Sequence, residues 1–293
     1  MFKLKLLFTL LILLSIASST YSKTATEKSI FVVGSTSAGQ LFDSLEQSFY
    51  NKTGYKLIVR AIGSNKGVIA VAEGVSDVGI ISRFLTPAEQ NRFPQLAQIT
   101  IAQDAIVFIT NEKNKQKSLR RQDIIKMYTS NDPIWPATGN KALLLSKNLG
   151  HGTLDSFIDF FGLDSVLSPD GQGLLFKPAG INFLYSKNKT VPNDRINQAI
   201  AYTSREPNAL AFESMGAFTR FMANKQDIRS KLLNFEGIPV LKDGKLNLDY
   251  PVKRPLNILI NHQKSAGVDA LIAYLQSDEA KEIIEQHNFI AVN

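Results

Sequence analysis

Ser29-Ile30-Phe31-Val32-Val33-Gly34-Ser35-Thr36-Ser37 is the stretch on which the fold turns. Residues 29–33 form a short β-type run that stops at Gly34. Small polar residues follow, and then Leu41, Leu45 and Phe49 recur at helical spacing. The pattern is strand, glycine turn, helix. Ser37 is expected to cap that helix, with Gln40 as its capping-box partner, and Gly54 is expected to end it. The same unit then returns. Residues 57–62 read as a second strand, Gly63-Ser64 as the turn, and residues 66–73 as the second helix. Residues 78–81 read as a short buried strand. Thr86-Pro87-Ala88-Glu89 is a helix start, with a cap, a proline at the first position and a carboxylate at the third. Short apolar strands alternating with helices predict a mostly parallel sheet covered on both faces.

Further along, Ala105-Ile106-Val107-Phe108-Ile109 is β-rich, and the polar residues 111–117 after it suggest a crossing into a second domain. Residues 119–128 can be helical. Trp135 sits in a proline-containing loop, where a local apolar anchor is the reading preferred over a stacking platform for a ligand. Residues 142–145 read as strand, and Leu154, Phe157, Ile158 and Phe161 give the next helix its apolar face. A helix over 194–203 and a strand over 209–212 follow. The alternating Leu256, Ile258 and Ile260 predict a strand that pairs with the run at 105–109 and carries the chain back. Two helical stripes, Val268-Leu271-Ile272-Leu275 and Ala280-Ile283-Ile284, then close a discontinuous first domain.

The chain has 293 residues, a formal charge of +7 and no cysteine. Its length suits two domains. Without cysteine, disulfides, thiolate catalysis and lipidation at cysteine are excluded. The basic residues are scattered, so acidic partners are favoured but nucleic acid is not indicated. At the N-terminus Lys3 and Lys5 precede an apolar run over 6–16 and the small residues Ala17-Ser18-Ser19-Thr20. This is the pattern of a secretory signal peptide, assigned to residues 1–22. The apolar run is short for a membrane span, and the mature protein is not expected to span a membrane. An extracytoplasmic, periplasmic setting follows.

Three turns share one design: Gly34-Ser35-Thr36-Ser37, Gly63-Ser64-Asn65-Lys66-Gly67 and Gly150-His151-Gly152-Thr153. Each joins glycine to hydroxyl or amide side chains and leads into a helix, whose free N–H groups and dipole favour an anion. Any one of them could be ordinary helix capping. Arg83 and Lys147 could neutralise charge. The three histidines, His151, His262 and His287, lack metal-ligand spacing, and no metal or other cofactor is expected. Neither a nucleophile elbow nor a nucleotide P-loop is present, which argues against an enzyme.

With these turns in order, the chain resembles the substrate-binding proteins of phosphate ABC transporters, within the periplasmic-binding-protein-like type II fold. The resemblance runs over most of residues 29–293. It is carried by Gly34-Ser35-Thr36, Ile62-Gly63-Ser64, the stretch from Ser76 to Arg83, Asp104-Ala105-Ile106-Val107, Trp135, Gly150-His151-Gly152-Thr153, Ala209-Leu210-Ala211-Phe212, the stretch from Tyr250 to Leu256, and Phe289-Ile290-Ala291-Val292. It implies an α/β protein of two lobes, each a mixed, mostly parallel sheet flanked by helices, with two strands crossing a hinge. Lobe 1 would hold residues 28–107 and 258–293, and lobe 2 residues 108–257, with hinges near 104–110 and 254–262. The implied ligand is inorganic phosphate, held by Ser35, Thr36, Ser37, Ser64, Arg83, Lys147, Gly150, His151, Gly152 and Thr153. The implied partner is an ABC permease. Lys147 stands where the family usually has arginine, His151 where it has serine, and Arg83 where many members have an aspartate that accepts the proton of monohydrogen phosphate. Some members carry Ser-Arg at that place. Another tetrahedral oxyanion (sulfate, molybdate or a phosphate ester) is the alternative ligand. A secreted structural or adhesive protein that has lost the site is the alternative of a different class.

Overall fold

The computed structural model describes residues 28–180, 182–223, 228–262 and 265–292; the signal peptide expected over 1–22 lies outside them. The first lobe begins β1 (Ser29–Gly34), α1 (Thr36–Thr53), β2 (Lys56–Ala61), α2 (Ser64–Ala72), β3 (Val78–Ile81), α3 (Pro87–Arg92) and β4 (Leu96–Asn111). The second lobe continues with β5 (Ser118–Leu119), α4 (Arg121–Thr129), β6 (Leu143–Ser146), α5 (Gly152–Phe161), β7 (Leu163–Leu167), β8 (Leu174–Pro178), β9 (Val191–Pro192), α6 (Ile196–Arg205), β10 (Ala209–Ser214), α7 (Met215–Ala223) and β11 (Ser230–Phe235). A small hairpin, β12 (Leu241–Lys242) and β13 (Lys245–Leu246), precedes β14 (Lys253–Asn261). The chain ends in α8 (Ala266–Leu275), α9 (Asp278–Gln286) and β15 (Ile290–Ala291).

The strand–turn–helix rhythm of the first hundred residues is realised. β2, β1 and β3 run parallel, and β14 and β4 extend the sheet antiparallel. Leu41, Phe42, Leu45 and Phe49 bury one face of α1. Each such side chain contributes about 1.5–3 kcal/mol on leaving water. Gly54 ends α1 in the left-handed region at φ 71°. Thr86 and Glu89 form the expected reciprocal cap.

Two expectations are corrected. The cap of α1 is Ser35, whose hydroxyl accepts from the Ala38 amide at 3.3 Å. Ser37 already lies inside the first turn. The helix starts early because Gly34, at φ 146°, packs so closely on the Ile80 carbonyl that a side chain would not fit. The chain must therefore turn at once. The second correction concerns β14. It pairs with β4 over residues 96–105, from Lys253 opposite Ala105 to Asn261 opposite Leu96. The inner run expected to be its partner is taken by β10, with Leu210 opposite Thr110 and Ser214 opposite Ile106. β4 is one strand of 16 residues serving two lobes, so its halves find different neighbours.

Two large cores divide the molecule. One gathers Val32, Phe42, Phe49, Ile80, Ala102, Leu256, Leu271 and Ile284. The other gathers Ala105, Phe108, Tyr128, Trp135, Phe157, Phe212, Tyr250 and Val252. Core membership changes between Ala102 and Ala105 on β4, and between Val252 and Leu256 on the returning chain. Trp135 is fully buried, and its indole N–H donates to the Asn208 carbonyl at 2.9 Å. It is the anchor the local sequence suggested. Among the described residues no helix is long and apolar enough to cross a membrane.

Candidate anion-binding site

The fold brings all three glycine turns to one cleft between the lobes. Thr36 Oγ1 lies 3.0 Å from His151 Nε2 across it. Gly152 is wedged against the hydroxyls of Ser64 and Ser82, with no room for a β-carbon. Any larger residue there would hold the lobes apart. Three helix N-termini therefore converge: α1 at Thr36, α2 at Ser64 and α5 at Gly152. The first N–H groups of a helix have no partner within it, and its dipole places partial positive charge there.

At the centre stands Arg254, 3% exposed, from the start of β14. Its Nε and Nη2 donate to Asp104 Oδ2 at 3.1 and 2.8 Å. Its Nη1 donates to Thr153 Oγ1 at 2.7 Å and to Ser82 Oγ at 3.2 Å. Nη2 also donates to Ser37 Oγ at 2.7 Å. All five guanidinium N–H groups are thus used. Three of their acceptors are hydroxyls, each keeping its own O–H to donate onward. Arg254 fixes these hydroxyls as acceptors on one side and leaves them donors on the other. The set joins Ser37 and Ser82 of lobe 1 to Thr153 of lobe 2.

Lys147 is fully buried beneath the third turn. Its ammonium donates to Asn193 Oδ1 at 2.8 Å and forms a short ion pair with Glu213. Burial pushes the Glu213 carboxyl above its ordinary range, and Lys147 opposes that shift. Both central cations therefore carry a carboxylate, Arg254 with Asp104 and Lys147 with Glu213. An anion here would be held mainly by neutral N–H and O–H donors.

His151 caps α5. Its Nδ1 accepts from the Thr153 amide at 3.3 Å. The proton of a neutral ring then sits on Nε2 and is donated to Thr36 Oγ1. Burial, reinforced by the positive charges of Lys147 and Arg254, lowers its pKa to about 3.

Arg83, expected among the ligand-binding cations, lies at the rim with its own ring of acceptors. Nε meets Asp155 at 3.0 Å, Nη1 meets Glu89 at 2.7 Å and the Phe84 carbonyl at 2.8 Å, and Nη2 meets Asn65 at 2.6 Å and Glu89 at 2.8 Å. Burial works against its charge, but Glu89 and Asp155 outweigh that, and its pKa is raised. Asn65 and Glu89 belong to lobe 1 and Asp155 to lobe 2, so Arg83 is an interlobe tie. Ser156 adds another by donating to the Ser82 carbonyl at 2.9 Å.

Of the other expected residues, Ser64 Oγ accepts from the Ser82 amide at 3.3 Å. Gly150 makes its turn at φ 83° beside Asn65. Ser35 uses its hydroxyl as the α1 cap. Sequence reasoning overlooked Arg254, Asp104, Ser82 and Glu213 as parts of the cleft. A signal existed: Asp104 and Arg254 each border an apolar β run, and a charge in such a place needs a buried partner.

Residues 19–279 match the family model described as the PBP superfamily domain. Phosphate-binding protein PstS of Borreliella burgdorferi is 23% identical over 273 residues, covering 91% of each chain. A Clostridium perfringens structure assigned as a phosphate ABC transporter substrate-binding protein, with bound phosphate, superposes with a TM-score of 0.72. Its identity is 22%, with 91% of this chain and all of that one covered. An ABC-type phosphate transport receptor from Vibrio cholerae gives 0.68 at 23% identity, covering 90% of this chain and all of that one.

Proposed function

The chain belongs to the PBP superfamily, and from that premise we propose that it binds inorganic phosphate between its lobes as the extracytoplasmic receptor of an ABC importer. The observation that carries this reading is the convergence of three helix N-termini on the hydroxyls around Arg254. Thr36, Ser37, Ser64, Gly152 and Thr153 supply the donors, with Ser35 and Gly150 shaping the turns. Lys147 and His151 support the third turn from below and beside. Arg83 acts at the rim, where it stabilises closure. Recognition is coupled to hinge motion of the two lobes about 104–110 and 254–262, and the register shift between Leu256 and Asn257 supports the second hinge. Residues 1–22 direct export to the periplasm, and the closed form presents both lobes to a permease. The relatives' names support phosphate as the ligand and transport as the role.

A second reading, a different tetrahedral oxyanion, is favoured by Arg83, which occupies the place of a proton-accepting carboxylate. Titration calorimetry of ligand-stripped protein with phosphate, sulfate and molybdate decides between them. Phosphate binding undisturbed by excess sulfate supports the proposal, whereas equal affinity for sulfate favours the alternative. Lys147→Glu, which sets a second carboxylate against Glu213, should abolish binding of whichever anion is taken. Wild-type affinity in that variant would displace the site from this cleft.

A further inference from the structure

The centre of the cleft offers little net charge to draw an anion in. Arg254 is paired with Asp104 and Lys147 with Glu213, so each cation there is matched by a carboxylate. Unmatched positive charge lies at the mouth instead. A cavity of about 480 Å³ opens there, and Thr36, Gly63, Lys66, Gly150, His151 and Arg195 are among its lining residues. Lys66 belongs to lobe 1 and Arg195 to lobe 2. Both are exposed, and neither has an ion-pair partner among the described residues. Three carboxylates share the neighbourhood. Asp43 is paired with Arg220 at 3.0 Å, and Glu213 with Lys147. Asp194 is tied to Asn148, whose main-chain and side-chain N–H groups donate to its two oxygens at 3.0 and 2.7 Å. At the mouth, Asp194 thus sets one negative charge against two free positive ones.

The two cations also stand where helix physics disfavours them. Lys66 is in the first turn of α2, and Arg195 is the N-cap of α6. The positive end of a helix dipole repels a cation at either place, and an N-cap prefers a small acceptor. Away from this mouth, α3, α4, α8 and α9 make the ordinary choice, with Glu89, Asp123, Asp269 and Asp278 in their first turns. The starts of α1, α2 and α6 line the mouth, and none has a first-turn carboxylate. Three uncompensated helix starts and two free cations therefore concentrate positive potential where an oxyanion enters. Such a field raises the rate of encounter. We infer that Lys66 and Arg195 steer the anion into the cleft and set its association rate, without holding it once bound. This rests on the phosphate-binding reading above and extends it to the path of entry.

The test is stopped-flow mixing of the ligand-stripped mature protein with inorganic phosphate, for wild type and for Lys66→Gln combined with Arg195→Gln. Both are measured at ionic strengths of about 0.01 M and about 1 M, between which the Debye length falls from about 30 Å to about 3 Å. At low salt the variant should associate about fivefold more slowly, with dissociation changed by less than about twofold. At high salt the two proteins should associate alike. Lys66→Arg combined with Arg195→Lys keeps both charges and should keep the wild-type rate. Thermal melting checks folding, and the glutamine variant should melt no lower, since the lost cations opposed the helix dipoles. An unchanged association rate at low salt would overturn this inference and leave phosphate binding intact. A loss that persists at high salt, or dissociation about tenfold faster, would make the two residues direct ligands and overturn it as well. A wild-type protein that binds no phosphate would bring down the functional reading and this inference together.

Discussion

Two arginines tie the lobes together, and they do so with different partners. Arg254 at the cleft centre has one carboxylate and three hydroxyls as acceptors. Arg83 at the rim has two carboxylates, an amide oxygen and a backbone carbonyl. Hydroxyls are donors as well as acceptors, and they rotate at little cost. A cluster built on them can offer protons to an arriving anion. Carboxylates only accept and repel an anion, so the rim cluster, with its guanidinium already ringed by acceptors, suits closing the cleft better than holding a ligand. On the proposed reading the centre serves recognition and the rim closure.

The largest expected effect is at the centre. Arg254→Met leaves Asp104 buried without its partner, and breaking such a pair typically costs about 3–5 kcal/mol. Calorimetry should find anion affinity reduced at least about a hundredfold, since each 1.4 kcal/mol is tenfold. Adding Asp104→Asn should recover much of the melting temperature but not the affinity. If the double variant binds like wild type, the centre is only a structural tie and the contrast between the two arginines collapses.

At the rim the effect should be smaller and kinetic. Arg83→Met removes the bridge from Asn65 and Glu89 to Asp155. Stopped-flow measurements should show the anion leaving about tenfold faster, with the association rate little changed, as most affinity differences reside in dissociation. A hundredfold loss of affinity, equal to that of Arg254→Met, would place Arg83 among the direct ligands.

Closure should also depend on pH. His151 is held neutral in the closed form, with a pKa lowered to about 3. Once the cleft opens, the ring regains an ordinary pKa of about 6.5. A lowered pKa means that closure is fully supported above pH 6.5 and weakens as the pH falls toward 3, by up to about tenfold per unit. Small-angle scattering of ligand-free protein at pH 7 and pH 5 should show a more open population at pH 5. In His151→Asn that difference should shrink, and an unchanged shift in the variant would assign the pH response to another group.

Much of this was legible along the chain because it depends on neighbours in sequence. The 3.6-residue recurrence of Leu41, Leu45 and Phe49, the stop at Gly54, and the cap at Thr86 with Glu89 are local, and each stands where its spacing placed it. The three glycine turns could be recognised as helix starts, though singly each reads equally as ordinary capping. Their meeting could not, because Thr36 and His151 lie 115 residues apart, and Arg254 lies 150 residues from its partner Asp104. The same charge reads alike in any exposed or buried place, so the sequence pointed to Arg83 for the cleft and not to Arg254, which stands at its centre. Only packing decides which acceptors surround a guanidinium. Sequence by itself determined the strand–turn–helix units and the glycine turns that open the helices, since these follow from short-range sterics and periodicity, while the two-lobed class was carried by the family resemblance. Tertiary structure alone decided which half of β4 faces β14, which arginine occupies the cleft, and where its hydroxyl partners come from, since those outcomes depend on how distant surfaces fit.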